Sequence, residues 1–227
     1  SAVPRDTTLE LGGSISGSGT LRVTGEGTGG TGQPNKVIFS PNNNTNFTNF
    51  TGGFAVDSGI LSVNEGIFPS SAPIEIAAGA RFELAQGQGA GQVRLGAITG
   101  TETFAFGSNL IIGDGNASGT FDGTFAGIGG LSIGGQIQKR GTGTIVFNGN
   151  AAALGYALIE AGTLALGSAA SLPPGLDVFS GATFSAGTLI PEATIDTALQ
   201  SNWRIFPGAY FALDTSLGDR TFTLTIN

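Results

Sequence analysis

Apolar and polar residues alternate along this chain in runs of three to five, and glycines cut one run from the next. Thr144 and Val146 stand against Ile145 and Phe147; Leu164 and Leu166 follow after a gap. Near the N-terminus, Leu9, Leu11, Ile15, Leu21 and Val23 alternate in the same way. Period-two alternation over so few residues predicts short β-strands. The rest of the chain is patterned on the stretch Gln138 to Ser168. There Gly141, Gly143, Gly149, Gly155 and Gly162 separate the runs and predict tight turns. No eleven-residue window in it carries the stripe of an amphipathic helix.

The runs repeat. FAVDSGILSVN (54–64) has the form of LIEAGTLALGS (158–168), and IEIAAGARFELA (74–85) that of LDVFSGATFSAG (176–187). SGSGTLRVTG (16–25) resembles AGIGGLSIGG (126–135), and KVIFSP (36–41) resembles TIVFNG (144–149). The four pairs keep their order, roughly 100 to 110 residues apart. This predicts one elongated body of two related units, about 7–100 and 101–195, with a C-terminal cap or extension at 196–227. A shorter beat of about 20 to 25 residues per turn suggests about ten coils, each burying its apolar face only by stacking on its neighbours. At ~4.8 Å per stacked strand the body is about 50 Å long. The predicted fold class is all-β, a parallel β-helix or β-solenoid. The pattern alone leaves the hand of the coil open.

The tail differs in composition. It holds the single tryptophan, Trp203, near Phe206, Tyr210 and Phe211, and ends in the alternating run TFTLTIN (221–227). Three readings stand: a terminal cap that blocks end-to-end aggregation, a binding platform, or a junction to a further segment. Trp203, Tyr210 and Phe211 are the candidate binding residues.

Composition narrows the functions. Of 227 residues 40 are glycine, without the Gly-X-Y period of collagen. Hydrophobic residues make up 40%, enough for a core and too many for a disordered linker. Charged residues are 11%, the net charge is −7, and Lys36 and Lys139 are the two lysines. No basic face can be assembled to neutralise phosphates, so a nucleic-acid partner is excluded, and a basic membrane-surface helix with it. Cys, Met and His are absent, which removes disulfides, thiolate nucleophiles and Cys/His zinc sites. No run approaches the ~18 apolar residues of a membrane span. No signal-peptide pattern opens the chain, and the expectation for an exported protein is that its leader has been removed.

Reactive constellations are few. Without histidine there is no Ser-His-Asp triad, and no Gly-x-Ser-x-Gly elbow or P-loop is present. Gly127-Ile128-Gly129-Gly130 lacks the helix that would bind phosphate and is expected at a coil corner. Asp114-x-Asn116-x-Ser118-x-x-x-Asp122 offers alternating oxygens for Ca²⁺, but without the terminal bidentate Glu of an EF-hand it is expected to be an Asx-rich turn. Lys139-Arg140 is expected to be solvated, the alternatives being Glu160 or an anionic ligand as partner. The sequons at Asn43, Asn46 and Asn49 are glycan acceptors if the source is a eukaryote, and otherwise a polar turn or an Asn ladder. A glycan-cleaving site would need two carboxylates brought together from Asp57, Glu75, Asp114, Asp122, Glu160 and Asp177. No catalytic residue, metal or cofactor is expected.

The wording of Lys139 to Gly167 adds a resemblance. Lys139-x-Gly141-x-Gly143-Thr144, Phe147-x-Gly149-Asn150 and Ala161-Gly162-Thr163-Leu164-x-Leu166-Gly167 resemble the passenger-associated transport repeat, also called the autotransporter-associated β-strand repeat. In the middle this chain departs from that pattern: Gly155 precedes Tyr156 instead of following it, and the Thr-Tyr-Thr-Gly turn is missing. Val56 to Val63 looks like a second, degenerate copy. The resemblance implies a type V secreted bacterial passenger folded as a right-handed parallel β-helix, at the cell surface or released from it. It implies a structural role and no catalytic residues, with any membrane attachment through a C-terminal barrel that this sequence does not contain.

The expected function is therefore a non-enzymatic stalk or adhesin whose partners are a glycan, a host-surface ligand or another copy of itself. A self-assembling filament subunit and a carbohydrate-active β-helix enzyme are the alternatives.

Overall fold

A strand of three to eight residues cannot satisfy its backbone alone, and here each takes its partners from strands 17 to 33 residues away in the chain. The computed structural model describes residues 8–24, 35–85, 92–128, 136–151, 154–190, 194–195, 197 and 202–213. Strand pairs among them are parallel and form three ladders. The first runs Thr8–Leu11, Lys36–Phe39, Gly59–Asn64, Ala80–Ala85, Thr103–Phe106, Thr124–Gly127. The second runs Leu21–Val23, Phe54–Val56, Ala72–Ile76, Val93–Gly100, Gly119–Phe121, Thr144–Phe147, Thr163–Ser168, Thr183–Leu189, Tyr210–Leu213. The third starts from the same Val93–Gly100 strand and continues through Leu110–Ile112, Gln136–Lys139, Tyr156–Ile159, Leu176–Val178, Trp203–Ile205.

Val93–Gly100 is the joint of the molecule. Val93 and Arg94 pair with Leu110 and Ile111 in the third ladder. Ile98, Thr99 and Gly100 pair with Ile74, Glu75 and Ile76 in the second, and Gly100 pairs onward with Phe121. Below this strand the chain alternates between the first and second ladders. Above Thr124–Gly127 the third ladder takes the place of the first.

Corners continue the ladders. Asp57, Ala77, Thr101, Asp122 and Asn148 donate their N–H to Val23, Val56, Ile76, Gly100 and Phe121, just beyond the second-ladder strands. Arg140, Glu160, Phe179 and Phe206 do the same to Ile112, Lys139, Ile159 and Val178 in the third. The repeated wording marks these corners. In Phe54–Asn64 the corner glycine Gly59 has φ 78°, and in Leu158–Ser168 its counterpart Gly162 has φ 66°. Gly79 and Gly181 match likewise, at 78° and 80°. The earlier member of each pair turns from the second ladder to the first; the later one turns from the third to the second.

Parallel register stacks like on like, so the core is an axial column. Leu61, Phe82, Phe104 and Phe125 follow one another in the first ladder, and Phe82 and Phe104 lie face to face with centroids 5.5 Å apart. Ring contacts run on from Phe39 through Phe54, Phe82, Phe104 and Phe125 to Phe147. Leu164 and Leu166 fill the next rung, and Phe184, Trp203 and Phe211 close the column.

The polar run Pro41–Gly53 is not a solvent loop. Phe47 and Phe50 are buried against Phe39 and Phe54, while Asn44 and Asn49 take the left-handed turns that asparagine tolerates. Asn46 bridges to Ser14, and its Oδ1 accepts from the hydroxyl of Thr48 at 2.6 Å. The Phe spacing is hidden among five asparagines. In the tail, Trp203–Ile205 and Tyr210–Leu213 extend the third and second ladders by one rung. The expected strand at 221–227 and the segment 129–135 lie outside the described residues.

Candidate functional site

Lys139, Gly141, Gly143 and Gly162 meet at one corner. In Gln136–Lys139, Ile137 and Lys139 alternate inward, so the Lys139 side chain is fully buried. Its ammonium donates to the carbonyls of Arg140 at 2.6 Å, Gly141 at 2.8 Å and Ala161 at 3.1 Å. Burial pushes its pKa down to about 8. This corrects the expectation of a solvated pair. Arg140 alone points outward, where its Nε donates to Glu160 at 2.7 Å.

The other residues of the stretch lie at this corner, on the neighbouring rungs and at the corner that follows. Gly141 and Gly162 have φ 69° and 66°. Gly143, Thr144 and Thr163 line successive rungs, with the N–H of Thr163 on Gly143 O and that of Thr144 on Ser118 Oγ. Gly149 lies against Gly123 O, Asn150 bridges to Thr124, and Leu164 is in the core. A Cβ on Gly162 would stand 2.4 Å from Gly141 O and 2.8 Å from the Lys139 ammonium. One on Gly181, at the equivalent point of the next corner, would meet nothing within 4 Å. Gly181→Ala is therefore expected to cost about 1 kcal/mol from backbone conformation alone. Gly162→Ala is expected to cost about 2–3 kcal/mol, because it also displaces the corner. Urea unfolding of the two variants gives the comparison.

A second concentration of polar chemistry lies where the third ladder begins its last three rungs. A cleft of about 360 Å³ is lined by Gly155, Tyr156, Pro174, Gly175, Asn202 and Arg204. Alternation places it: Trp203 and Ile205 pack against the core, and Arg204 faces out between them. Arg204 grips Asp177 with two parallel bonds, Nε to Oδ1 at 2.7 Å and Nη2 to Oδ2 at 2.5 Å, and Nη2 also donates to Tyr156 OH at 3.1 Å. Asp177 is buried beneath this fork. Burial, then the neighbouring Asp177, push the Tyr156 phenol above its ordinary pKa. Beside the cleft, Phe206 stacks on Phe179 at 4.9 Å, with Arg204 5.8 Å from the Phe206 ring centre.

The three aromatic residues expected to bind do not share a face. Trp203 is buried edge-on to Phe184, its indole N–H on Pro173 O at 3.2 Å. Phe211 packs on Phe184 from the next strand, and Tyr210 points outward, 65% exposed. The residues flanking Trp203 line the cleft, and period-two alternation was the signal that could have found them.

Other carboxylates have separate partners. Arg22 holds Asp57 at 2.5 Å. Asp114 accepts from Ser71 Oγ at 2.7 Å and Asp122 from Asn148 Nδ2 at 2.7 Å. Asn116 and Ser118 accept backbone N–H groups of Thr142 and Thr144. The Asp114–Asp122 oxygens thus act as inter-rung ties. Glu83 sits between Lys36 at 2.7 Å and Arg81 at 2.8 Å. Burial opposes its ionisation, but these two cations outweigh it and hold the carboxyl below its usual range. Among the described residues no three His, Cys, Asp or Glu side chains gather as metal ligands.

No family model, curated protein or solved structure matches the chain.

Proposed function

We propose that the chain is a non-enzymatic, exported parallel β-helix that serves as a stalk or adhesive passenger at a bacterial cell surface or outside the cell. The observation that carries this reading is the axial column: parallel ladders stacked around an unbroken apolar core. A body built this way resists bending, and its length grows by about 4.8 Å per rung. The nine strands of the second ladder fit a helix of about ten coils. The right hand and the export role come from the resemblance to the passenger-associated transport repeat, and the Lys139 corner supports it by giving Lys139, Gly141, Gly143 and Gly162 one shared structural task. Membrane attachment belongs to a barrel outside this sequence. A carbohydrate-active enzyme draws no support from the cleft, where both oxygens of Asp177 are engaged by Arg204.

Self-association is favoured as a second reading by one strand. Among the described residues Thr8–Leu11 pairs on one side only, with Leu9 53% and Leu11 37% exposed. Exposed apolar side chains on a terminal strand favour contact with a second copy.

Small-angle scattering with light scattering over a concentration series tests both. The stalk reading expects a monomeric rod, the second ladder alone accounting for about 40 Å of its length. A compact sphere would sink it. Concentration-dependent growth that Leu9→Lys abolishes would put the filament first.

A further inference from the structure

We propose that the cleft over Tyr156, Asn202 and Arg204 is a binding site for a neutral saccharide, one or two sugar units long. The inference deepens the adhesive arm of the function proposed above and rests on it.

Size is the first argument. About 360 Å³ lies at the small end of the range for ligand clefts, ~300–1,000 Å³. The lining comes from three successive rungs, at Gly155–Tyr156, Pro174–Gly175 and Asn202–Arg204. Two rung spacings are about 10 Å, the length of a disaccharide.

Rigidity is the second. Ala157 N–H is bonded to Gly175 O at 2.9 Å and Leu176 N–H to Asn202 O at 3.3 Å, so the backbone of each rung is tied to the next. The Trp203 indole holds Pro173 from within. Gly175 lies directly on the Tyr156 ring: a Cβ there would come 2.3 Å from Cδ2. The ring is thus backed on one side and kept in place. Arg204 is held in its fork by a buried carboxylate and by Tyr156 OH. A site fixed in this way loses little freedom when it is filled.

Charge and chemistry select the ligand. The guanidinium is matched by Asp177, so it offers its remaining Nη1 hydrogens as directional donors and little net attraction for an anion. The whole chain carries −7, which repels polyanions. What remains is an aromatic face, an arginine donor, the Asn202 amide and the exposed backbone of Gly155. Donors and acceptors beside an apolar ring suit a molecule with hydroxyls around its rim and C–H groups on its face.

The test is a titration of the full chain followed by NMR. The probes are maltose, cellobiose, lactose and diacetylchitobiose, with glucuronic acid and N-acetylneuraminic acid as acidic comparisons. Saturable shifts at the amides of the cleft are expected with at least one neutral disaccharide. Asn202→Ala, and separately Arg204→Gln combined with Asp177→Asn, are expected to weaken that affinity about tenfold, the loss of roughly one good contact. The double variant removes both charges together, so no buried charge is stranded. Urea midpoints near wild type confirm that the variants are folded. Saturable binding to none of the sugars, or equal binding by the variants, overturns the site. Tighter binding of the acidic sugars overturns its neutral character. Scattering on the same samples separates the two levels: a rod that binds nothing removes the site and leaves the stalk.

Discussion

Lys139→Met is expected to destabilise the protein by about 3 kcal/mol at pH 7, because three carbonyls inside a corner lose their donor. Two effects compete. Removing a buried ammonium relieves a desolvation cost of several kcal/mol. That cost is only partly offset in the native corner by charge-assisted bonds to all three oxygens, which is why the ammonium's pKa is lowered. Each buried acceptor left bare costs about 1–3 kcal/mol. Methionine fills the space but donates nothing, so the loss wins. The same residue sets a pH dependence. Its pKa falls from 10.5 in the unfolded chain to about 8 in the fold. Between those values the unfolded chain holds more protons, so stability rises with pH, by about 2 kcal/mol between pH 7.5 and 10. Tyr156 acts oppositely above its ordinary value near 10, since its folded pKa is raised. Urea unfolding of wild type and Lys139→Met at pH 7.5 and pH 10 isolates the lysine: the gain should be present in the first and absent in the second. Equal slopes for both would refute a buried, depressed Lys139.

Phe82→Ala has the other large effect. The ring touches Phe54, Phe68 and Phe104, and is fully buried. Truncation leaves a cavity at about 3–5 kcal/mol. In a stack of rungs that loss falls on the coupling between neighbours rather than on the fold as a whole. We expect wild type to melt in one transition and Phe82→Ala in two, the N-terminal rungs unfolding first. Circular dichroism melts with hydrogen exchange would locate the break. One cooperative transition, merely shifted down, would show that coupling along the axis survives without Phe82.

Strand existence was legible because period two survives in a run as short as TIVF, which forms a strand. Corners were legible because a left-handed turn favours glycine, and Gly59, Gly79, Gly162 and Gly181 occupy such turns. Three things were hidden, each for a physical reason. Phe47 and Phe50 enter the core from a backbone with no regular period, so alternation gave no signal. Val93–Gly100 reads as one strand but serves two ladders, which is a matter of long-range register. Lys139 reads as surface by residue type, yet its place two residues after Ile137 points it inward, where a corner full of carbonyls replaces water. The cleft was legible only in part. Of the three residues singled out, Trp203 supports it from inside, while Asn202 and Arg204 form its wall.

Thr144, Thr163 and Thr183 stand above one another in the second ladder, 19 and 20 residues apart. Ile137, Ala157 and Leu176 repeat that interval in the third, at 20 and 19. A segment of this size begins and ends at matching points of the cross-section, so copying it in place would present each neighbour with the partners it already has. Genes of this kind can lengthen or shorten by whole steps without disturbing either end. For the stalk proposed above, reach is a heritable quantity counted in rungs.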